Sequence, residues 1–284
     1  MLLYPFEPSF ARNWLVAFLW LSWSASSVAA PESDLWAFWQ DSNVEAQETI
    51  DHQPWQEILD AYIHETESGL NLFAYRFVSK MDREKLSRYL SDMQSVDPRV
   101  YRSEEQRAYW INLYNALTID LILENYPVES IANLGKKFFK FGPWDDVIAS
   151  VAGQELTLND IEHRILRPIW PDPRIHFAVN CASIGCPNLL KTAFTGENVD
   201  KLMSVAATDY LAHPRAVDFQ HDGGLILSSI FDWYAVDFGE NQAEVLNTLA
   251  RFAPSDIAEK LSSHAGEVVY KYDWQLNDYA GEVD

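Results

Sequence analysis

Basic residues are scarce in this chain: 21 lysines and arginines face 42 aspartates and glutamates over 284 residues, a formal charge of −21. Such a chain repels phosphate backbones and anionic lipid heads, so nucleic acid and membrane surfaces are poor partners. Cysteine is scarcer still, with only two, so at most one internal bridge can form. There is no Walker lysine motif and no GxGxxG, which leaves nucleotide binding without support. Asp237-Phe238-Gly239 spells the kinase magnesium tripeptide, but no glycine-rich loop or catalytic-loop partner precedes it. Long apolar runs, internal repeats and low-complexity tracts are also missing, as is any linker rich enough to divide the chain.

What is present begins with an export signal over residues 1–30. Arg12 precedes the apolar run Trp14 to Trp23, and small residues lead to Val28-Ala29-Ala30 before Pro31. One positive residue, a short apolar core and small residues at the −3 and −1 positions are what a signal peptidase reads. The run is too short to be read as a membrane anchor, which needs about 20 residues. A periplasmic or secreted location is therefore expected, with no membrane attachment after cleavage. The composition of the full sequence, 48% hydrophobic and 14% aromatic, supports a sizeable core. The expected fold is α+β: a single globular domain with a buried central helix and a small, mainly antiparallel sheet.

Residues 31–69 read as an N-terminal lead-in followed by a helix over Trp55 to Ile63. Alternation over Asn71 to Val78 predicts a strand, and helical spacing returns over Asp82 to Met93. Ser103 with Gln106 has the form of a capping box opening a helix that runs to Asn125. That helix is apolar on every face from Ala108 to Leu123, so it must be buried on every face. Asn112 and Asn115 lie inside it three residues apart, and buried amides need partners. An aromatic loop is expected over Phe138 to Asp146. Thr157 and Asp160 predict another N-cap, opening a helix over Asp160 to Leu166. Arg174 to Asn180 reads as a core strand, and Cys181 to Pro187 as a small-residue loop. Helices at Glu197 to Leu211 and Gln242 to Phe252, with strands at Leu225 to Ser228 and Glu267 to Tyr272, complete the chain.

The chemistry gathers around Asn180-Cys181-Ala182-Ser183-Ile184-Gly185-Cys186-Pro187. In an exported protein a Cys181–Cys186 disulfide is one reading. The other makes Cys181 a nucleophile with Cys186 as a resolving thiol, which requires a base or a positive field to populate the thiolate. His163 on the Asp160 helix is the candidate base. His176 is the weaker one, because on a strand an odd separation turns it away from Cys181. Glu162, Asn112 or Asn115 could orient the imidazole, or an asparagine amide could donate to an oxyanion. Otherwise the asparagines hold loop backbone against the helix. The two cysteines and two histidines could also be pooled as zinc ligands, but their spacing is not that of a zinc site. No metal and no cofactor is expected.

The strings Ala108-Tyr109-Trp110-Ile111-Asn112-Leu113-Tyr114-Asn115-Ala116-Leu117, Asp160-Ile161-Glu162-His163 and Arg174-Ile175-His176-Phe177-Ala178-Val179-Asn180-Cys181 occur in that order. With Ser183, Cys186-Pro187, Ile230-Phe231-Asp232-Trp233-Tyr234, Asp237-Phe238-Gly239, Tyr272-Asp273-Trp274 and Leu276-Asn277, they resemble the domain of unknown function 547 (DUF547) family. The resemblance covers about residues 70–277 and places a DUF547-like domain over residues 70–284. It implies that Cys181 rather than Cys186 is the matched cysteine, since serine tends to stand at the latter position in plant relatives. Fusion of such domains to glutaredoxin-like modules in plants implies thiol- or glutathione-related chemistry. The expectation is a cysteine-dependent hydrolase or transferase acting on an amide, thioester or thiol-containing substrate, small molecule or peptide. A non-catalytic binding or scaffold protein and a thiol–disulfide oxidoreductase are the alternatives.

Overall fold

The computed structural model describes residues 31–135 and 142–281. The expected export signal and residues 138–141 of the expected aromatic loop lie outside them. Helix α1 (Gln53–Tyr62) leads directly into a hairpin, β1 (Ile63–Glu65) and β2 (Asn71–Phe73), and then α2 (Lys80–Ser95). Ser79 caps α2, its hydroxyl accepting from the Asp82 amide. Helix α3 (Ser103–Asn125) follows, then the hairpin β3 (Ala149–Val151) and β4 (Gln154–Leu156). A π-helical segment, Asp160–Leu166, continues into α4 (Arg167–Ile169), and a short α5 (Ile175–Ala178) comes next. The last third holds α6 (Val199–Leu211), β5 (Val217–Phe219), β6 (Leu225–Ser228), α7 (Ile230–Trp233), α8 (Ala235–Phe238), α9 (Gln242–Ala250), α10 (Ser255–Ser263) and β7 (Val268–Lys271).

The fold is α+β, with helices outweighing three small sheets. The two hairpins are antiparallel, while in the third sheet β6 pairs antiparallel with β5 and parallel with β7. Helix α3 is the axis of the structure: residues 108–119 are all buried, as its unbroken apolar surface demands. Around it lies the larger of two apolar clusters, including Trp39, whose ring meets Trp110 edge-on at 4.9 Å. The smaller cluster gathers α6, α9 and the third sheet around Phe177, Phe231 and Phe238. Helix α5 lies on the seam, sending Ile175 and Ala178 into the first cluster and Phe177 into the second.

Three local expectations are corrected. The stretch Arg174 to Asn180 is not a strand: Ile175, His176, Phe177 and Ala178 are all buried, so apolar alternation carried no facial information there. Asp172 instead accepts from the Arg174 amide and starts the turn that becomes α5. The strand expected over Asn71 to Val78 stops at Phe73, and Tyr75–Phe77 is a 3-10 turn that delivers the Tyr75 hydroxyl to Asn277. Ser103 and Gln106 do not form a capping box either. Ser103 Oγ accepts from Trp170 Nε1, and Gln106 Nε2 reaches out to the carbonyls of Asp41 and Tyr101. The Thr157–Asp160 cap does form, with the Thr157 amide and hydroxyl both donating to Asp160 Oδ2.

Candidate functional site

The two asparagines of α3 show how the seam is held. Asn112 donates to the Phe194 carbonyl at 2.7 Å and accepts from the Phe194 amide at 3.1 Å, fixing the chain that leads to α6. Asn115 does the same across the turn after α5, donating to the Ala178 carbonyl and accepting from the Asn180 amide. Both amides thus serve as backbone clamps, and Asn115 sets the position of everything between His176 and Cys181.

Past that clamp the chain turns sharply. Asn180 Oδ1 accepts from the Ala182 amide, and Asn180 Nδ2 donates to the Pro187 carbonyl. Ala182 takes a φ of +57°, a left-handed conformation that costs a non-glycine residue roughly 1–2 kcal/mol. Gly185 lies against the backbone of Asp273, where a Cβ would stand 2.8 Å from the amide nitrogen. The turn folds Cys186 back under Cys181, half-buried above a buried partner. Their sulfurs stand 2.9 Å apart as free thiols.

Three side chains meet Cys181 Sγ: Cys186 Sγ at 2.9 Å, Tyr272 Oη at 3.0 Å and Ser183 Oγ at 3.2 Å. The Cys181 amide donates to Cys186 Sγ at 3.0 Å, and the Cys186 thiol has two acceptors in reach, Cys181 Sγ at 2.9 Å and the Val179 carbonyl at 4.0 Å. Hydrogen bonding from Cys186 lowers the Cys181 pKa against the opposing effect of burial, and Ser183 and Tyr272 add to the lowering. The nearby charge of Glu162 works the other way. Burial, reinforced by Cys181, pushes the Cys186 thiol well up. One thiol is primed to ionise and the other to stay protonated.

A second cluster lies within electrostatic reach. His176 Nε2 meets Asp237 Oδ2 at 2.6 Å, and Arg167 Nε donates to the same oxygen at 2.6 Å. Across the ring, His176 Nδ1 stands 3.5 Å from Glu162 Oε1, an ion-pair contact without hydrogen-bond geometry. Tyr234 stacks on the imidazole with ring centres 4.2 Å apart. Burial alone would lower the His176 pKa, but the bond to Asp237 and the adjacent Glu162 carboxylate outweigh it and raise it. Burial likewise opposes ionisation of Glu162 and Asp237, yet the surrounding cations bring each down to about 2. His163 is different: burial takes it to about 4, so it is neutral at neutral pH. Against burial, the influences that favour the ionised form of Glu162 come from His163, His176 and Arg167.

His163 Nδ1 lies 3.0 Å from Arg167 Nη1. A guanidinium only donates, so Nδ1 is the acceptor and the ring proton sits on Nε2. His163 as arranged offers a proton, not a lone pair. Neither histidine is hydrogen-bonded to Cys181, whose polar neighbours are Cys186, Ser183 and Tyr272. The expected site residues thus fall into two adjoining groups, Cys181 with Cys186 and Glu162 with His163 and His176, with Asn115 between them. Among the described residues no group of three or more His, Cys, Asp or Glu is arranged for a metal. Two surface hollows, of about 390 and 220 Å³, open elsewhere, against α2 and α3 and beside Thr49 and Tyr101.

Sequence reasoning assigned no role to Ser183, Arg167, Tyr234, Asp237 or Tyr272. Arg167 is one helical turn beyond His163, a spacing that could have flagged it. Asp237, Tyr234 and Tyr272 stood inside strings already singled out, but nothing in their spacing says that they fold back onto Cys181 and His176.

Fold and site together define a protein class: an α+β domain with a thiol pair backed by a buried histidine–carboxylate cluster. Residues 98–211 match the model of a family described as "Protein of unknown function, DUF547". The matched segment contains both cysteines, His163, His176, Glu162 and both asparagines, whereas Asp237 and Tyr272 lie beyond it. No curated protein and no solved structure matches the chain.

Proposed function

We propose that the protein is a cysteine-dependent enzyme in which Cys181, held as a thiolate, attacks the acyl carbon of a small-molecule or peptide thioester. The observation that carries this reading is the convergence of Cys186, Ser183 and Tyr272 on one half-buried sulfur. Donors aimed at a sulfur stabilise its anion, and the anion is the nucleophile. The thiolate's electron pair forms the new C–S bond, the carbonyl π pair moves to oxygen, and its return expels the leaving thiolate. The available proton donors favour a thioester over an amide. An amine leaves only with a proton, and the imidazole nearby whose pKa is raised, His176, is engaged by Asp237 and lies against Glu162.

The deciding experiment follows iodoacetamide alkylation of Cys181 against pH, read by peptide mass. The expected midpoint lies below the roughly 8.5 of an ordinary cysteine, with Cys186 unreactive until the protein unfolds. A midpoint at or above the ordinary value ends the proposal.

Thiol–disulfide exchange is the second reading, favoured by the 2.9 Å between an ionisable sulfur and a protonated one. Cys181 would attack a small disulfide, releasing one thiol, and Cys186 would displace the second by closing the internal bridge. Treatment with oxidised glutathione separates the readings: a stable glutathione adduct on Cys181 argues against exchange, and an internal disulfide supports it. Export supports either chemistry meeting extracytoplasmic substrates. The Arg12 to Ala30 pattern supports export, and N-terminal sequencing of protein recovered outside the cytoplasm would find Pro31 first.

A further inference from the structure

The chain between the two cysteines is pinned along its length. The Ala182 amide donates to Asn180 Oδ1 at 2.8 Å, and the Ile184 and Gly185 amides donate to the carbonyls of Gln275 and Asp273, each at 2.8 Å. The Cys186 amide turns back to the Ser183 carbonyl at 3.1 Å. The remaining carbonyls are held as well: Ala182 accepts from the Asn277 amide, Ile184 from Arg215 Nη1 and Gly185 from the Tyr210 hydroxyl.

What this frame fixes is the distance between two sulfurs. Cys181 Sγ and Cys186 Sγ stand 2.9 Å apart as free thiols. A disulfide bond measures about 2.05 Å, so closing one asks the sulfurs to approach by under about 1 Å. The two differ in access, Cys181 being half-buried and Cys186 buried. A reagent from solvent meets Cys181 first, and Cys186 then meets whatever Cys181 carries. A partner held this close reacts as if at very high concentration, so an internal second step outruns a second encounter in solution.

The hydroxyls beside the pair suit both its reduced and its oxidised forms. Tyr272 Oη and Ser183 Oγ lie 3.0 and 3.2 Å from Cys181 Sγ and 2.8 Å from each other. In the reduced form they can donate to the sulfur. An oxygen placed on that sulfur falls within reach of the same two groups. In a bridged form the sulfur no longer carries charge, but the Tyr272–Ser183 bond remains, so neither hydroxyl is stranded.

We propose that hydroperoxides switch this site off reversibly, Cys181 taking the terminal oxygen and Cys186 expelling it as water to close an internal disulfide. This rests on the nucleophile assignment and adds the regulation of the same site. The Cys181 thiolate attacks the terminal oxygen, the O–O bond breaks, and alkoxide (hydroxide from hydrogen peroxide) leaves with its electron pair. It takes up the proton that Cys181 released on ionising. The Cys186 sulfur then attacks the sulfenic sulfur of Cys181, the S–O bond breaks, and the departing hydroxide takes the Cys186 proton. Two thiols are oxidised to a disulfide, and the hydroperoxide is reduced to an alcohol and water. A bridged Cys181 has no thiolate to offer an acyl carbon. Closure also stops oxidation before the irreversible sulfinic stage, and a dithiol restores both cysteines by exchange.

Hydrogen peroxide is the probe, applied to the full chain and followed by peptide mass. The expected product is lighter by two hydrogen atoms, carries a Cys181–Cys186 bridge and no longer takes iodoacetamide at Cys181. Dithiothreitol is expected to return that labelling in full. In Cys186→Ser the expected product instead gains oxygen at Cys181, and dithiothreitol does not restore its labelling. A native chain that collects sulfinic acid at Cys181 while Cys186 stays free overturns the proposal, as does a bridge between two chains. So does a Cys186→Ser chain whose labelling returns as completely as the native one. A Cys181 that is alkylated by iodoacetamide but untouched by peroxide also overturns it, although the nucleophile then stands. A Cys181 inert to both reagents removes the nucleophile and the switch together. The native chain alone decides the matter if Cys186→Ser fails to fold.

Discussion

Hydrogen bonds from Cys186, Ser183 and Tyr272 lower the Cys181 pKa against the opposing effect of burial. Each donor to a charged group contributes about 1.5–3 kcal/mol, and Tyr272 is the donor that can be removed with least change in shape. Tyr272→Phe is expected to raise the Cys181 pKa and cut its alkylation rate at pH 7 by roughly ten- to a hundredfold, restored at high pH. A rate lowered equally at every pH would instead mean that the phenol shapes access to the sulfur. The chain shows a cysteine with a serine two residues on, and that much is local. That a tyrosine 91 positions later completes the site is not, because no pattern in one strand names what packs against it.

Among the elements, α3 and the short turn after it decide the geometry. Asn115 is 3% exposed and holds one donor and one acceptor of that turn. Asn115→Ala leaves both without partners, an expected loss of about 2–4 kcal/mol in urea unfolding, with faster hydrogen exchange at the Asn180 amide. A loss below about 1 kcal/mol would show that water replaces the clamp. The burial of α3 was legible because an all-apolar helix has only one possible environment, and so was the need of its asparagines for partners. The partners themselves were legible only as an alternative, loop backbone. Helix α5 was illegible for a related reason: where both faces of a segment are buried, period-2 and period-3.6 patterns cannot be told apart over a few residues. The same ambiguity turned His176 away from the site on paper, whereas in the fold it is the centre of the carboxylate cluster.

For the molecule as a whole, the buried histidines set the response to acid. His52 and His163 both sit near 4 in the folded state against about 6.5 unfolded, so below about pH 6.5 the unfolded chain takes up protons the native one refuses. Stability is expected to fall as pH drops from about 6.5 to 4. Glu162 and Asp237 add a later loss as pH descends from the ordinary carboxylate range through about 2. His176 has the opposite sign: its raised pKa stabilises fully below about 6.5, and that contribution fades as pH climbs through its folded value. Urea midpoints measured from pH 4 to 9 should therefore peak near neutrality. A midpoint that holds steady or rises on acidification would mean that the two buried histidines charge without cost.

The stretch after β7 joins parts of the molecule that are far apart in the chain. The Asp273 carbonyl accepts from the Gly185 amide, Gln275 from Ile184 and Asn277 from Phe73, while the Leu276 amide reaches Glu129. Tyr272, which touches the Cys181 sulfur, opens this stretch. On a ribosome these residues emerge after every other member of the site, so a nascent chain carries both thiols long before it carries the group that tunes them. Full reactivity at Cys181 then waits until Tyr272 has emerged and folded onto the sulfur, and the thiol doubles as a chemical marker of that late step.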